Sequence, residues 1–80
     1  MRILIAEDDS RLLMQLDALL QQQGYSVDLA DDGDKALFQL KEVNYDLAIV
    51  DIGLPKLDGF DVIRQARAHG VTTPVLILTA

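Results

Sequence analysis

Two hydrophobic periods alternate along the chain. Short, continuous apolar runs occupy residues 3–6, 47–50 and 75–78, and runs of this length bounded by polar or turn residues are typical of buried strands. A fourth run, residues 26–30, alternates apolar with polar side chains, which favours an edge strand with one wet face. Apolar residues between these runs recur at three- and four-residue spacing and indicate helices. The pattern therefore predicts the order β-α-β-α-β-α-β.

Polar residues and glycines mark where the three helices begin and end. An acid or serine that can accept hydrogen bonds from free helix N–H groups precedes each helix: Asp9 or Ser10, an acid within residues 31–34, and Asp58. Gly24 and Gly70 follow the first and third helices, as is common after a helix end. The apolar residues expected to face the core are Leu12, Leu13, Leu16, Leu19, Leu20, Met14, Ala36, Leu37, Phe38, Leu40, Val43, Phe60, Ile63 and Ala66.

Polar side chains follow three of the predicted strands. Glu7, Asp8 and Asp9 come after the first strand, Asp51 ends the third, and Thr79 follows the fourth. Alternating strands and helices predict an α/β fold with a mainly parallel sheet covered on both faces and right-handed crossovers. Because the carboxyl ends of parallel strands share one edge of a sheet, we expect these side chains to gather there, where ligands of such folds bind.

Several carboxylates at one edge favour a bound cation. Two unit charges about 4 Å apart repel by ~4 kcal/mol at an effective dielectric constant near 20. The available ligands are all oxygens, which suits Mg²⁺, Mn²⁺ or Ca²⁺, and a carboxylate beside such an ion can attack phosphorus to form an acyl phosphate. The structural alternative, in which Asp51 only caps a turn, explains one acid but not several from distant segments.

Composition excludes several classes of function. Seven basic and thirteen acidic residues give a formal charge of −6 with no basic cluster, which argues against nucleic-acid binding by this segment itself. The chain has no cysteine, so it offers no disulfide, thiolate metal site or cysteine nucleophile. The sequence shows neither a membrane span nor a secretory signal, and these features predict a cytoplasmic location without a membrane partner.

Three segments together resemble a known family. They are Glu7-Asp8-Asp9, Asp51 with the turn Leu54-Pro55-Lys56-Leu57-Asp58-Gly59, and Leu76-Ile77-Leu78-Thr79-Ala80. In register over all 80 residues, they resemble the receiver domain of two-component response regulators, in the branch that carries a winged-helix DNA-binding domain. The resemblance implies a flavodoxin-like parallel sheet of strand order 2-1-3-4 and a signalling role rather than that of an enzyme. It also implies a sensor histidine kinase as partner, with DNA contacted only through an output domain outside this chain.

The same resemblance implies roles for individual residues. Asp51 would be the phosphoacceptor. Asp8 would ligate Mg²⁺ directly and Glu7 through water, while Asp51 and the backbone carbonyl of Gly53 would complete the protein ligands. Thr79 would be the switch hydroxyl that turns toward the phosphoryl group.

Receiver domains continue beyond the segment that this chain matches. Ala80 would be the small neighbour of the switch hydroxyl, and the family continues through a further helix, a fifth strand bearing an essential lysine, and a last helix. Residues 1–80 are therefore expected to be a partial receiver domain and a poor phosphoacceptor alone, with Lys56 only a surface lysine. The fourth strand would be an uncovered apolar edge, through which the chain could form a homo-oligomer.

Other classes of function stay open at this point. A Mg²⁺-dependent phosphohydrolase could also use Asp51 as nucleophile, but it would be expected to carry a second acid two residues later, where this chain has Gly53. A nucleotide-binding domain would need a glycine-rich turn after the first strand, where the three acids stand. An interaction module with a vestigial pocket is the third alternative, and labelling with an acyl-phosphate donor separates these possibilities.

Overall fold

Seven elements alternate along the chain in the predicted order, in a computed structural model that describes residues 1–79. They are β1 (Arg2–Ala6), α1 (Ser10–Gln22), β2 (Ser26–Ala30), α2 (Gly33–Glu42), β3 (Leu47–Asp51), α3 (Gly59–Ala68) and β4 (Val75–Leu78). All four strands lie in one parallel sheet of order β2-β1-β3-β4. The predicted strand order and fold class are confirmed.

The alternation of side chains along each strand builds two layers of core. Successive residues of a strand point to opposite faces, so Ile3 and Ile5 of β1 pack with Leu13 of α1 on one face of the sheet. Leu4 of β1 lies on the other face, in the cluster that includes Val62 of α3. Both faces of β1 are buried, because this strand lies inside the sheet and helices cover it on both sides.

An aspartate caps the amino end of each of the three helices. Asp9 caps α1 by accepting from the Arg11 and Leu12 N–H groups, Asp32 caps α2, and Asp58 caps α3. These caps replace hydrogen bonds that the first turn of a helix cannot make internally. Gly24 and Gly70 follow α1 and α3 at φ values of 87° and 81°, the left-handed conformation that favours glycine after a helix.

The buried stripe of each helix is narrower than predicted. Five residues assigned to the core are instead exposed: Leu12, Met14, Leu19, Phe38 and Phe60. On α3, Val62 is fully buried while Phe60 is 57% exposed, because two residues turn a helix by ~200° and place the side chains on opposite sides. The prediction was wrong for these five because spacing identifies apolar residues near a stripe without showing which of them face the sheet.

The outer edge of β4 is apolar. Leu76 is 54% exposed and Ile77 is 38% exposed, and within residues 1–79 the one strand beside β4 is β3. Pairing of two copies through this edge stays a prediction. Among residues 1–79, no helix combines the length and the apolar character needed to cross a membrane.

Candidate metal centre

Three acidic side chains meet at the carboxyl ends of β1 and β3. Ala6 lies beside Val50 in the parallel register, so the next residues, Glu7 and Asp51, lie next to each other at this edge of the sheet. One carboxylate oxygen from each of Glu7, Asp8 and Asp51 lies within 4.8 Å of the others. The structure thus brings together three of the predicted metal ligands, while their roles stay predictions.

Glu7 is the most buried of the three acids. It is 4% exposed, and its Oε1 accepts a hydrogen bond from the Asp9 N–H at 3.0 Å. Burial raises the pKa of Glu7, the Asp9 N–H lowers it, and the negative charges of Asp51 and Asp8 raise it again. None of the three acids forms an ion pair with a basic side chain among residues 1–79. The site therefore concentrates negative charge that no protein cation offsets.

Asp51 ends β3 with its side chain half-buried. Its Oδ1 accepts a hydrogen bond from the Gly53 N–H at 3.1 Å, and no other hydrogen bond to this carboxylate occurs within the described part of the chain. Gly53 is exposed and directly next to the carboxylate. Its backbone carbonyl as a metal ligand stays a prediction.

Gly59 lets α3 begin against the backbone of Asp51. A Cβ at this position would lie 2.4 Å from the Asp51 carbonyl oxygen, far closer than carbon and oxygen can approach without a shift of the backbone. Its N–H donates to the Ile52 carbonyl at 3.0 Å. Glycine is therefore required here, because the chain returns to the backbone of Asp51 without room for a side chain.

Thr79 lies at the same end of the sheet as Asp51. Leu78 is the register partner of Asp51, and its carbonyl accepts from the Ile52 N–H at 3.3 Å. Thr79 follows directly and is exposed, and its hydroxyl makes no hydrogen bond within residues 1–79. Its role as switch hydroxyl stays a prediction, and Ala80 lies outside the described residues.

Sequence reasoning missed one contact near the site. Lys56 is a surface residue as expected, with a side chain 63% exposed, but its Nζ lies 3.5 Å from Oδ2 of the buried Asp32. Asp32 accepts a hydrogen bond from the Lys35 N–H. This bond and the positive charges of Lys56 and Lys35 hold the pKa of Asp32 below its usual value. The sequence predicts a capping acid within residues 31–34, and no spacing rule connects it with a loop so distant in sequence.

The donor set fits a hard divalent cation. The three clustered side chains offer only carboxylate oxygens, and Mg²⁺ is commonly bound by one or two carboxylates while it keeps waters and room for phosphate oxygens. Clustered carboxylates repel one another, and a cation between them replaces this repulsion with attraction. The arrangement can therefore hold Mg²⁺ beside a nucleophilic oxygen.

Known proteins match this chain over nearly its whole length. The family model of the response regulator receiver domain matches residues 3–80. The chain is 42% identical over 80 residues to the two-component response regulator PhoP of Pseudomonas aeruginosa. It is 46% identical to the virulence transcriptional regulatory protein PhoP of Salmonella typhimurium. In each case the match covers 100% of this chain and 36% of the relative, so the chain spans about a third of the length of these curated relatives.

Two solved structures with metal have closely similar folds. One is the receiver domain of a Pseudomonas aeruginosa sensor histidine kinase with a magnesium ion coordinated in its active site cleft. It has a TM-score of 0.93 and 36% identity, and the match covers 99% of this chain and 66% of that one. The other is the response regulator protein TrrA of Thermotoga maritima in complex with Mg²⁺ and BeF. Its TM-score is 0.91 and its identity 35%, with 99% of this chain and 69% of that one covered.

Proposed function

Because this chain belongs to the response regulator receiver domain family, we propose that Asp51 accepts a phosphoryl group from a phosphorylated histidine of a sensor kinase. The observation that carries the proposal is the cluster of Glu7, Asp8 and Asp51, whose carboxylate oxygens lie within 4.8 Å of one another. Three carboxylates at such a distance repel one another, and the single backbone N–H bonds that Glu7 and Asp51 accept do not supply a compensating positive charge. The three acids suit a cation that accompanies phosphate.

The proposed step is the transfer of a phosphoryl group between two nucleophiles. An oxygen of Asp51 attacks phosphorus and forms a new O–P bond, while the P–N bond to the donor imidazole breaks and its electron pair stays on that nitrogen. The product is an acyl phosphate. Oδ1 is held by the Gly53 N–H, which fixes the carboxylate and leaves Oδ2 as the attacking oxygen.

The same acids would hold Mg²⁺, with Asp8 and Asp51 as direct ligands, Glu7 acting through water, and the Gly53 carbonyl as a further ligand. When bound, Mg²⁺ supplies positive charge that offsets the carboxylates and the phosphoryl oxygens. The magnesium in the related kinase receiver domain supports this assignment. The Thr79 hydroxyl, which follows the register partner of Asp51, would donate to a phosphoryl oxygen.

In the whole protein, phosphorylation of Asp51 would control an output domain that binds DNA, in the cytoplasm. The names of the PhoP relatives describe a response regulator and a transcriptional regulatory protein. These names support DNA as the partner of the output domain and transcription as the process that it controls. The receiver segment itself would not contact DNA, since its net charge is −6 and phosphate backbones attract basic surfaces.

Labelling with a radioactive acyl-phosphate donor tests the proposal. We expect slow, Mg²⁺-dependent incorporation of at most one phosphoryl group per chain, and its complete loss in Asp51→Asn. Asp34→Asn is the matched control, because Asp34 is an exposed acid in the first turn of α2 and lies outside the cluster. Repeated turnover of the donor would favour the phosphohydrolase. Absence of both label and Mg²⁺ binding would favour an interaction module and would contradict the proposal.

A further inference from the structure

The loop that follows Asp51 rests on the first turn of α2. This β3–α3 loop comprises residues 52–58. The N–H of Gly33, the first residue of α2, donates a hydrogen bond to the Pro55 carbonyl at 3.0 Å. A Cβ on Gly33 would lie 1.8 Å from the Leu57 carbonyl oxygen. The loop therefore packs directly against the backbone of α2, and no residue larger than glycine fits at position 33 without moving it.

Within the loop, Lys56 adopts an unfavourable backbone conformation. Its φ is 71°, and it is the one non-glycine residue with positive φ among residues 1–79. The Leu57 N–H donates to the Pro55 carbonyl at 2.8 Å, which closes a γ-turn around Lys56. A γ-turn with positive φ at its centre is rare and strained, and such strain persists only where the surrounding structure imposes it.

The buried carboxylate of Asp32 connects α2 with the strained residue. Its side chain is 8% exposed, and Oδ2 lies 3.5 Å from the Lys56 Nζ. Oδ1 accepts a hydrogen bond from the Lys35 N–H at 2.8 Å and so caps α2. One side chain thus fixes the helix start and contacts the γ-turn, while the neighbouring Gly33 contacts the same turn through its backbone.

The opposite end of the loop is attached to the metal centre. The Gly53 N–H donates to Oδ1 of Asp51 at 3.1 Å. Gly53 and Pro55 are separated by Leu54 alone, which is 5% exposed and packed into the core. Gly53 and Pro55 therefore flank one anchored residue, and the contacts of Pro55 and Leu57 with α2 add a second support to the loop that carries Gly53.

We propose that Asp32 and Gly33 are positioning residues that hold the β3–α3 loop so that Gly53 and Asp51 face the same cation. The inference rests on the proposed function and adds to it that α2, which contributes none of the predicted ligands, sets the cation affinity. Groups that orient metal ligands without touching the metal typically change metal affinity by about 10–100-fold when altered.

The decisive measurement is the affinity of the chain for Mn²⁺, with free Mn²⁺ followed by electron paramagnetic resonance. We expect Gly33→Ala to weaken binding by about 10-fold. Gly24→Ala is the matched control, because the same substitution at a φ of 87° strains the backbone with no atom within 4 Å of the new Cβ. Gly24→Ala should lower stability and leave the affinity unchanged.

The outcomes separate this inference from the proposed function. If the single variant Asp51→Asn binds Mn²⁺ as tightly as the natural chain, the proposed function is wrong. If Asp51→Asn weakens binding while Gly33→Ala binds as tightly as Gly24→Ala, the metal centre stands and the positioning role is overturned. The amide resonance of Gly53 provides a second readout, which should shift in Gly33→Ala and not in Gly24→Ala.

Two substitutions at Lys56 keep the inference testable if Gly33→Ala does not fold. Lys56→Gly and Lys56→Ala remove the same charge and the same contact with Asp32, and they differ by the Cβ methyl group that restricts the backbone of alanine. Glycine adopts a positive φ readily and alanine does not. We expect Lys56→Ala to bind Mn²⁺ several-fold more weakly than Lys56→Gly, and equal affinities would contradict the inference.

Discussion

The hydroxyl of Tyr45 donates a hydrogen bond to Oδ2 of Asp28 at 2.7 Å and so connects the segment before β3 with β2. Arg2 of β1, the strand between them, pairs with the same carboxylate at 2.8 Å and lies over the Tyr45 ring, 5.7 Å from its centroid. This cluster lies at the amino ends of the strands, opposite the acids, and it gives the polar Asp28 of β2 a structural partner.

Removing the Tyr45 hydroxyl should destabilise the chain. Tyr45→Phe keeps the buried ring and deletes one hydrogen bond to a charged acceptor, which predicts a loss of about 1–2 kcal/mol in the free energy of unfolding. Urea denaturation followed by circular dichroism measures it. Tyr25→Phe is the control, since the Tyr25 hydroxyl makes no hydrogen bond within residues 1–79, and an equal loss in both variants would refute the assignment.

Stability should fall at alkaline pH because of Tyr45. Burial raises the pKa of its phenol, and the hydrogen bond to Asp28 raises it further. The folded chain keeps this proton while the unfolded chain releases it above about pH 10, so the contribution is complete below that pH and is lost as pH rises further. Unfolding free energies at about pH 8 and about pH 10.5 should therefore decline more in the natural chain than in Tyr45→Phe.

Asp51→Asn should stabilise the chain in the absence of Mg²⁺ and should reduce the further stabilisation that added Mg²⁺ gives. It removes one of three negative charges whose oxygens lie within 4.8 Å, so in chelator it should raise the unfolding free energy by about 1–2 kcal/mol. Added Mg²⁺ should then stabilise the natural chain more than the variant, because a ligand stabilises the state that binds it. Thermal melts across a Mg²⁺ titration test this. Equal stabilisation of both proteins would show that Asp51 takes no part in cation binding.

Two residues of α2 should respond very differently to truncation. Leu40 is 3% exposed and Phe38 is 61% exposed. Leu40→Ala should cost about 2–5 kcal/mol, as buried leucines do, while Phe38→Ala should stay within about 0.5 kcal/mol. Chemical denaturation of both variants compares them directly. A large loss in Phe38→Ala would mean that its ring is buried against another surface in solution.

Pairing of two copies through β4 stays a prediction, and it can be tested directly. If two copies pair there, sedimentation velocity should show a species that grows with concentration, and Leu76→Lys should abolish it because charged side chains protect strand edges. Leu76 is 54% exposed, so the substitution should leave the fold intact. A single monomeric species at all concentrations would reject pairing through this strand.

Local pattern was enough for the elements and for the edge of the sheet that carries the acids. Continuous or alternating apolar runs identified the four strands, aspartates identified the helix starts, and parallel topology put the ends of β1 and β3 together. These features depend on how side-chain direction repeats along a helix or a strand and on helix capping, and both act over a few residues. Spacing did not show which side of α1, α2 and α3 faces the sheet, so Phe38 and Phe60 were misassigned.

Tertiary structure alone decided the contacts between distant segments. Two contacts join residues that no local rule connects: Gly33 approaches Leu57, and Tyr45 pairs with Asp28. The positive φ of Lys56 was equally unpredicted. These contacts form because the close packing of strands, helices and loops brings residues distant in sequence next to one another. The sequence by itself predicted that Glu7, Asp8 and Asp51 meet at one edge of the sheet, and the tertiary structure decided which distant residues contact the loop beside them.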